Sequence, residues 1–374
     1  MRVNFHTLSN VVVSTLALVA CTGALAALPQ RTFVASTGDD VNAAVSCRLT
    51  APCRSFSVAI GQTRPGGEVI VLDSAGYGPV TITQAVSIIA PPGVYAGVSV
   101  SSGNGVTVDA GASDTVVLRG LAITGLGGTS GLVVNSAATV DVGHVEISGF
   151  SGDGIKFSGG GRLVVRDSII RSNAGVGLSF IPAAGALLTV EGSSFDSNDI
   201  GVKVSGPVTA SLRGSSATEN PSGGIMALGG AVLVLADTRV AQIKTISAPA
   251  GIMADGAGSS LQAVRCEVLG YALGYYAHAG AHMQVVDSVA TGGFDEGAGV
   301  YAVGAGSSVD AERSSVNSFN NGFAASAGGT LRVSASTATG VIASTGNDAS
   351  TVYTRQNNMS GGTTFGAITP LSPF

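Results

Sequence analysis

Apolar and polar residues alternate along most of the chain in short runs, and the runs recur at a regular spacing. A glycine followed by an apolar-x-apolar triplet appears as GVTV from Gly105, GLVV from Gly131, GIKF from Gly154, GLSF from Gly177 and GVKV from Gly201. It returns as GIMA from Gly224 and Gly251, GYYA from Gly274, GVYA from Gly299 and GFAA from Gly322. Successive spacings are 26, 23, 23, 24, 23, 27, 23, 25 and 23 residues. Between these markers lies another short strand, such as TVDV, RLVV, LLTV or MQVV, followed by a Ser/Asp-rich turn. Period-two alternation bounded by Gly, Ser, Asn and Asp predicts at least two strands per repeat and leaves no room for a helix. Repeats of this length mean a solenoid. The leucine-rich pattern L-x-x-L-x-L-x-x-N and the calcium-binding nonapeptide G-G-x-G-x-D are both missing. The prediction is an all-β, right-handed, single-stranded parallel β-helix of roughly ten to twelve coils, each strand pairing with its equivalent about 4.8 Å away. The hand follows the strong preference for right-handed parallel connections.

Alternation also sorts side chains into columns. Counted from the repeat glycine, positions +1 (Leu132, Ile155, Leu178, Val202, Ile225, Ile252, Tyr275, Val300, Phe323) and +3 (Val134, Phe157, Phe180, Val204, then alanines from Ala227 to Ala325) are apolar and point inward. Position +2 then faces out and reads Val133, Lys156, Ser179, Lys203, Met226, Met253, Tyr276, Tyr301, Ala324, with Asp255 and His278 at +4 in adjacent coils. In this stripe Lys156 and Lys203 can meet carboxylates, Tyr276 and Tyr301 can lie against sugar rings, and Asp255 beside His278 can share a proton. The competing reading is a partly solvated sheet face, since aromatics favour strands generally. A second outward column is read as Arg119, Gly143, Arg166, Glu191, Arg213, Ala236, Arg265, Val286, Glu312, Ser334, with Arg166, Glu191 and Arg213 pairing in sequence. Asn173, Asn198 and Asn220 end the same turn in three successive coils and are read as stacked amides that satisfy turn backbone.

Composition narrows the function classes. With 18 Lys+Arg against 23 Asp+Glu the net charge is −5, which excludes a basic nucleic-acid binder. Charged residues make up 11% of the chain, against about 25% in ordinary domains. The 55 glycines and 45% hydrophobic residues fit tight turns around a packed core rather than disorder. Mean hydropathy is +0.44, yet past the N-terminus no apolar run reaches the 18 or so residues of a spanning helix.

Residues 1–27 read as a signal peptide: Arg2, the apolar run VVVSTLALVA from Val11, and an A-x-A site at Ala24-Leu25-Ala26. The chain is thus expected to be exported, to the periplasm or beyond. Leu18-Val19-Ala20-Cys21 supports an alternative, lipid anchoring through Cys21. Residues 28–65 are expected to form a capping segment with a short helix over Phe56, Ala59, Ile60 and Thr63, residues 66–345 the β-helix, and 346–374 a closing cap or tail. In an oxidising compartment Cys47 and Cys53, six apart, are expected to form a disulfide, while Cys266, in a strand-like segment with no His spaced to activate it, is read as a small filler rather than a nucleophile.

The opening segment carries a family resemblance. Thr37-Gly38-Asp39-Asp40, then PCRSFSVAI from Pro52, GGEVIVL from Gly66 and Gly76-Tyr77-Gly78 resemble the first coil of exported bacterial β-helix proteins. With the periodicity, residues 31 to 345 resemble the pectate-lyase-like superfamily. That resemblance implies polysaccharide lyases with a basic proton acceptor and clustered Asp for calcium, hydrolases with paired carboxylates, or esterases with two Asp and an Arg. None of those motifs is found. Of Asp153, Asp167, Asp196, Asp199, Asp237, Asp287, Asp295 and Glu296, most sit singly in turns, none repeats at one strand position in neighbouring coils to form a calcium cluster, and calcium wants six to eight oxygens. No catalytic residue, metal site or cofactor is assigned. Three readings stay open: a binder of polysaccharide or a cell-surface glycan, an enzyme acting on acidic polysaccharide, and a structural surface protein or adhesin.

Overall fold

The computed structural model describes residues 27–371 apart from 184, 244–249, 293–296, 340, 345–348, 363 and 366–367. The expected signal peptide up to residue 26, with Cys21 in it, Asp295, Glu296 and the last three residues lie outside the described residues. Strands of the repeat stack into three parallel sheets of 15, 13 and 13 strands among the described residues, about 12 turns of one solenoid. A complete coil contributes one strand to each sheet, and the long sheet carries two strands more than the others. The coil from Ile155, for example, supplies Ile155–Phe157 to the glycine-led sheet, Arg162–Arg166 to the long sheet and Ile169–Arg171 to the short-strand sheet. Three strands per coil, rather than the minimum of two, let 23 residues turn the chain through a full circle.

The repeat glycine marks a corner. A Cβ at Gly154 would lie 2.4 Å from Ile170 Cγ2 and 2.7 Å from the Gly177 carbonyl oxygen, so at this bend, where the chain enters the glycine-led sheet, no side chain fits. The next residues alternate as the pattern requires: Ile155, Leu178, Val202, Ile225, Ile252, Tyr275, Val300 and Phe323 are in register and all buried. At +3, Phe157 stacks on Phe180 with ring centroids 4.8 Å apart, and later coils replace this bulk with alanine.

Two ladders hold the corners flanking the short-strand sheet. At the first, the coils from Asp167 to Ala335 turn through one residue in the left-handed region, such as Asp167 (φ 48°), followed by a buried Ser, Thr or Cys. The Ser168 hydroxyl accepts from the Val145 amide at 3.1 Å and Ser193 accepts from the Ser168 amide at 3.2 Å. The series runs on from Ser288 through Ser314 to Ser336. Cys266 occupies one rung: it is buried, and its thiol contacts the Val264 carbonyl at 3.4 Å. Burial pushes that thiol's pKa up, as suits a filler. At the second corner the Asn173, Asn198 and Asn220 amides stack as expected, Asn198 Oδ1 accepting from both the backbone N–H and the side-chain amide of Asn173.

At the N-terminal end Arg31–Val34 forms the first strand of the long sheet. The helix Phe56–Gly61 buries Phe56, Ala59 and Ile60, and Thr63 just beyond it is buried too. Ser55 caps it, accepting from the Val58 amide at 3.4 Å. Cys47 and Cys53 form a disulfide. Beyond residue 345 the sheets continue: Thr351–Thr354 and Ile368–Pro370 pair in register on the long sheet.

The second outward column needs correction. Ala236 pairs with Val264, so Arg265 is not in the column but in the left-handed turn (φ 52°), where it grips Asp237 through two hydrogen bonds of 2.6 and 2.8 Å. Arg313 grips Asp287 likewise. Arg166 pairs with Glu191 at 3.3 Å but more closely with Asp141 at 2.9 Å, and no ion pair joins Glu191 to Arg213 among the described residues.

Candidate functional site

The outward stripe of the glycine-led sheet is real as a register. Lys156, Ser179, Lys203, Met226, Met253, Tyr276, Tyr301 and Ala324 follow one another on consecutive coils, and Asp255 pairs with His278. It is not uniformly solvated. Lys156 is exposed and Lys203, Met253, Tyr276 and Tyr301 are half-buried, but Ser179, Met226 and Ala324 are buried. Ser179 is a small residue between two lysines, and Met226 folds back over Gly223.

In the second half of the stripe four coils build one polar and aromatic cluster, carried by the strands Ile252–Asp255, Leu273–His278, Ala298–Val303 and Asn321–Ser326. His278 Nδ1 lies 2.6 Å from Asp255 Oδ1. An ionised carboxylate only accepts, so Nδ1 is the donor in this contact, and Nε2 is the ring nitrogen left outside it. The His278 ring stacks on Tyr276 with centroids 5.6 Å apart and planes 16° apart. Tyr276 meets Tyr301 at 5.9 Å, tilted by 39°. Tyr301 in turn holds the Ser326 hydroxyl at 2.6 Å. Burial first, then the neighbouring Tyr301 and the Asp255 charge, raise the Tyr276 phenol above its ordinary pKa, so it stays neutral.

The cluster is anchored from below. Tyr275 points inward, fully buried, and its hydroxyl donates to the carbonyls of Cys266 (2.9 Å) and Val289 (3.2 Å). Burial raises its pKa strongly. This fixes the strand that presents Tyr276 and His278 on the opposite face.

The structure thus brings together Asp255, His278, Tyr276 and Tyr301, and adds Ser326, which the sequence reading missed. It does not bring the lysines to them. Lys203 is three coils from Tyr276, about 14 Å at the spacing of paired strands, and Lys156 a further two coils along the same line. Among the described residues no three His, Cys, Asp or Glu side chains gather closely enough to hold a metal ion.

Stacked parallel coils with an inward apolar column and outward polar cluster define a parallel β-solenoid. Residues 96–238 match the family model described as right handed beta helix region. The chain folds as a parallel β-solenoid of about 12 turns, matching a right-handed β-helix. Among solved structures it is similar to a pectate lyase at 16% identity, covering 85% of this chain and 77% of that one, with a TM-score of 0.45. It is similar to the A-module of a mannuronan C-5 epimerase from Azotobacter vinelandii at 15% identity, over 83% and 92% of the two chains, with a TM-score of 0.40. A third similarity is to an alginate lyase from Paenibacillus sp. str. FPU-7, at 13% identity over 91% and 100%, with a TM-score of 0.32. No curated protein matches in sequence.

Proposed function

We propose that the glycine-led face binds an acidic polysaccharide lying along the solenoid axis, and that the protein is exported to do so. The observation that carries this reading is the contiguous Asp255, His278, Tyr276 and Tyr301 cluster, in one line with Lys203 and Lys156. Half-buried tyrosines offer flat apolar faces to sugar C–H groups and a hydroxyl edge to their oxygens. The two lysines, two coils or about 10 Å apart, meet carboxylates on separate sugars of one chain. Export rests on the leader-like residues 1–27.

The test is binding to uronate polymers on a glycan array, followed by calorimetry. Tyr276→Ala with Tyr301→Ala is expected to weaken binding at least tenfold. Lys156→Ala with Lys203→Ala is expected to weaken it more at low salt than at high salt. Unchanged affinity in the tyrosine pair rejects the face, and an array with no bound glycan favours the structural or adhesive reading.

A second reading has its own observation. The Asp255 contact holds His278 through Nδ1 on the outer face, and a neutral imidazole held in this way has Nε2 available as a base. Proton abstraction next to a uronate carboxyl group, with loss of the glycosidic oxygen, would then make the protein a lyase. Unsaturated product absorbing in the ultraviolet, lost in His278→Gln, is the expected result. No product from any uronate polymer, with or without calcium, rejects the enzyme and leaves the binder.

A further inference from the structure

The long sheet carries a second surface that the reading above does not use. Two depressions of about 450 and 220 Å³ lie along its outer side and share Gln284 and Asp310. Their floor is a single outward column, Gln262, Gln284, Asp310 and Arg332, one residue from each of four consecutive coils, and Tyr353 continues the column in the next coil. Its members engage one another along the axis. Gln262 Nε2 donates to Gln284 Oε1 at 2.8 Å, Arg332 donates to Asp310 at 3.2 Å, and the Arg332 guanidinium sits 5.6 Å from the Tyr353 ring centre. Alongside, His282 Nδ1 holds the Ser308 hydroxyl at 2.8 Å.

That pairing leaves a defined set of polar atoms facing out. Gln262 Oε1, Gln284 Nε2, Asp310 Oδ2 and His282 Nε2 make no bond within the described residues. They offer donors and acceptors a coil apart, ending at an aromatic ring. The charges cancel: Asp310 against Arg332 on the floor, Glu312 and Arg355 with opposite signs on the wall. A polyanion finds no net attraction here, unlike on the lysine-bearing face.

We propose that this column is a separate binding site for a neutral oligosaccharide. Side-chain amides and a carboxylate can bond vicinal hydroxyls in pairs, and Tyr353 supplies a face for a sugar ring. The proposal stands whether or not the glycine-led face binds an acidic polymer.

The test titrates the full chain with cellohexaose, mannohexaose, xylohexaose and an oligogalacturonate, followed by calorimetry and saturation-transfer NMR. At least one neutral hexasaccharide is expected to bind at millimolar concentration or below. Gln262→Ala with Gln284→Ala is expected to weaken it at least tenfold, while Tyr276→Ala with Tyr301→Ala leaves it unchanged. Should the glutamine pair lower the melting temperature, Tyr353→Ala provides the same readout. The proposal is overturned if no neutral hexasaccharide binds, if binding survives both long-sheet variants, or if it is lost in the Tyr276/Tyr301 pair. Preference of the long-sheet site for the oligogalacturonate also overturns it.

Discussion

Asp73 ties the capping segment to the first coil through three hydrogen bonds. Its carboxylate accepts from the Ser36 amide at 2.7 Å, the Ser36 hydroxyl at 2.6 Å and the Tyr77 hydroxyl at 2.7 Å. These bonds, led by the Ser36 hydroxyl and then Tyr77, hold its pKa below the ordinary carboxylate value despite some desolvation. A pKa lowered by folding stabilises the native state above the unfolded value, and that contribution is lost as pH falls through the native value. Wild-type protein is therefore expected to lose melting temperature below about pH 4, the usual Asp range. Asp73→Asn should melt lower at pH 7 and fall less steeply across the acid window; calorimetric scans with identical acid slopes would show that Asp73 contributes nothing there. At this scale the sequence was legible where two residues share one repeat position. Asp255 and His278 both sit four residues after a repeat glycine, so their contact followed from counting. Ser326 meets Tyr301 diagonally, from a different position in the next coil, and such contacts depend on side-chain length and lean rather than on spacing.

Ladders are the element-scale counterpart of those single contacts, because each rung satisfies backbone groups that a tight corner leaves without strand partners. Asn198 accepts from Asn173 twice and donates to the Ile170 carbonyl at 3.0 Å, all in buried surroundings. Asn198→Ala removes these partners at once and leaves buried donors unmet, each costing about 1–3 kcal/mol. Urea unfolding is expected to show a loss in that range or above it. The exposed Asn135, bonded to Asp109, should lose less than about 0.5 kcal/mol on change to Ala. Equal losses at the two positions would remove the ladder from the account of stability. The asparagine ladder was readable because one residue type recurs three times; the serine ladder was present at the same period but mixed Ser, Thr and Cys, and so merged with ordinary turn composition. Register failed at Arg265 for a related reason. The last residue of the long-sheet strand lies 12 positions after Gly224 but 13 after Gly251, so counting forward from the glycine drifts, and each slip of one residue exchanges inside for outside.

For the whole molecule, stacking coils in one direction satisfies every interior strand and leaves open edges where the stack begins and ends. Stability in such a stack is close to a sum over neighbouring coils, so damage at one end need not unfold the other. The helix Phe56–Gly61 lies at the N-terminal end, where Phe56 is fully buried and its ring centre sits 5.2 Å from that of Tyr77. We propose that residues 28–65 act as a cap whose removal makes the solenoid self-associate. Phe56→Glu tests this by placing a charge in an apolar site, at a cost of several kcal/mol unless the helix detaches. Detachment leaves the later coils intact while uncovering strand edges and apolar side chains of the first coil. The expected result is a β-rich circular dichroism spectrum close to wild type together with concentration-dependent oligomers in light scattering. Val58→Glu, on a partly buried position beside the same helix core, should give a milder form of the same behaviour. A Phe56→Glu protein that stays monomeric with native spectrum and melting temperature would mean that the helix covers nothing the solenoid needs covered. Global loss of β signal would mean that the end coil and the rest fold as one unit, contrary to nearest-neighbour stacking.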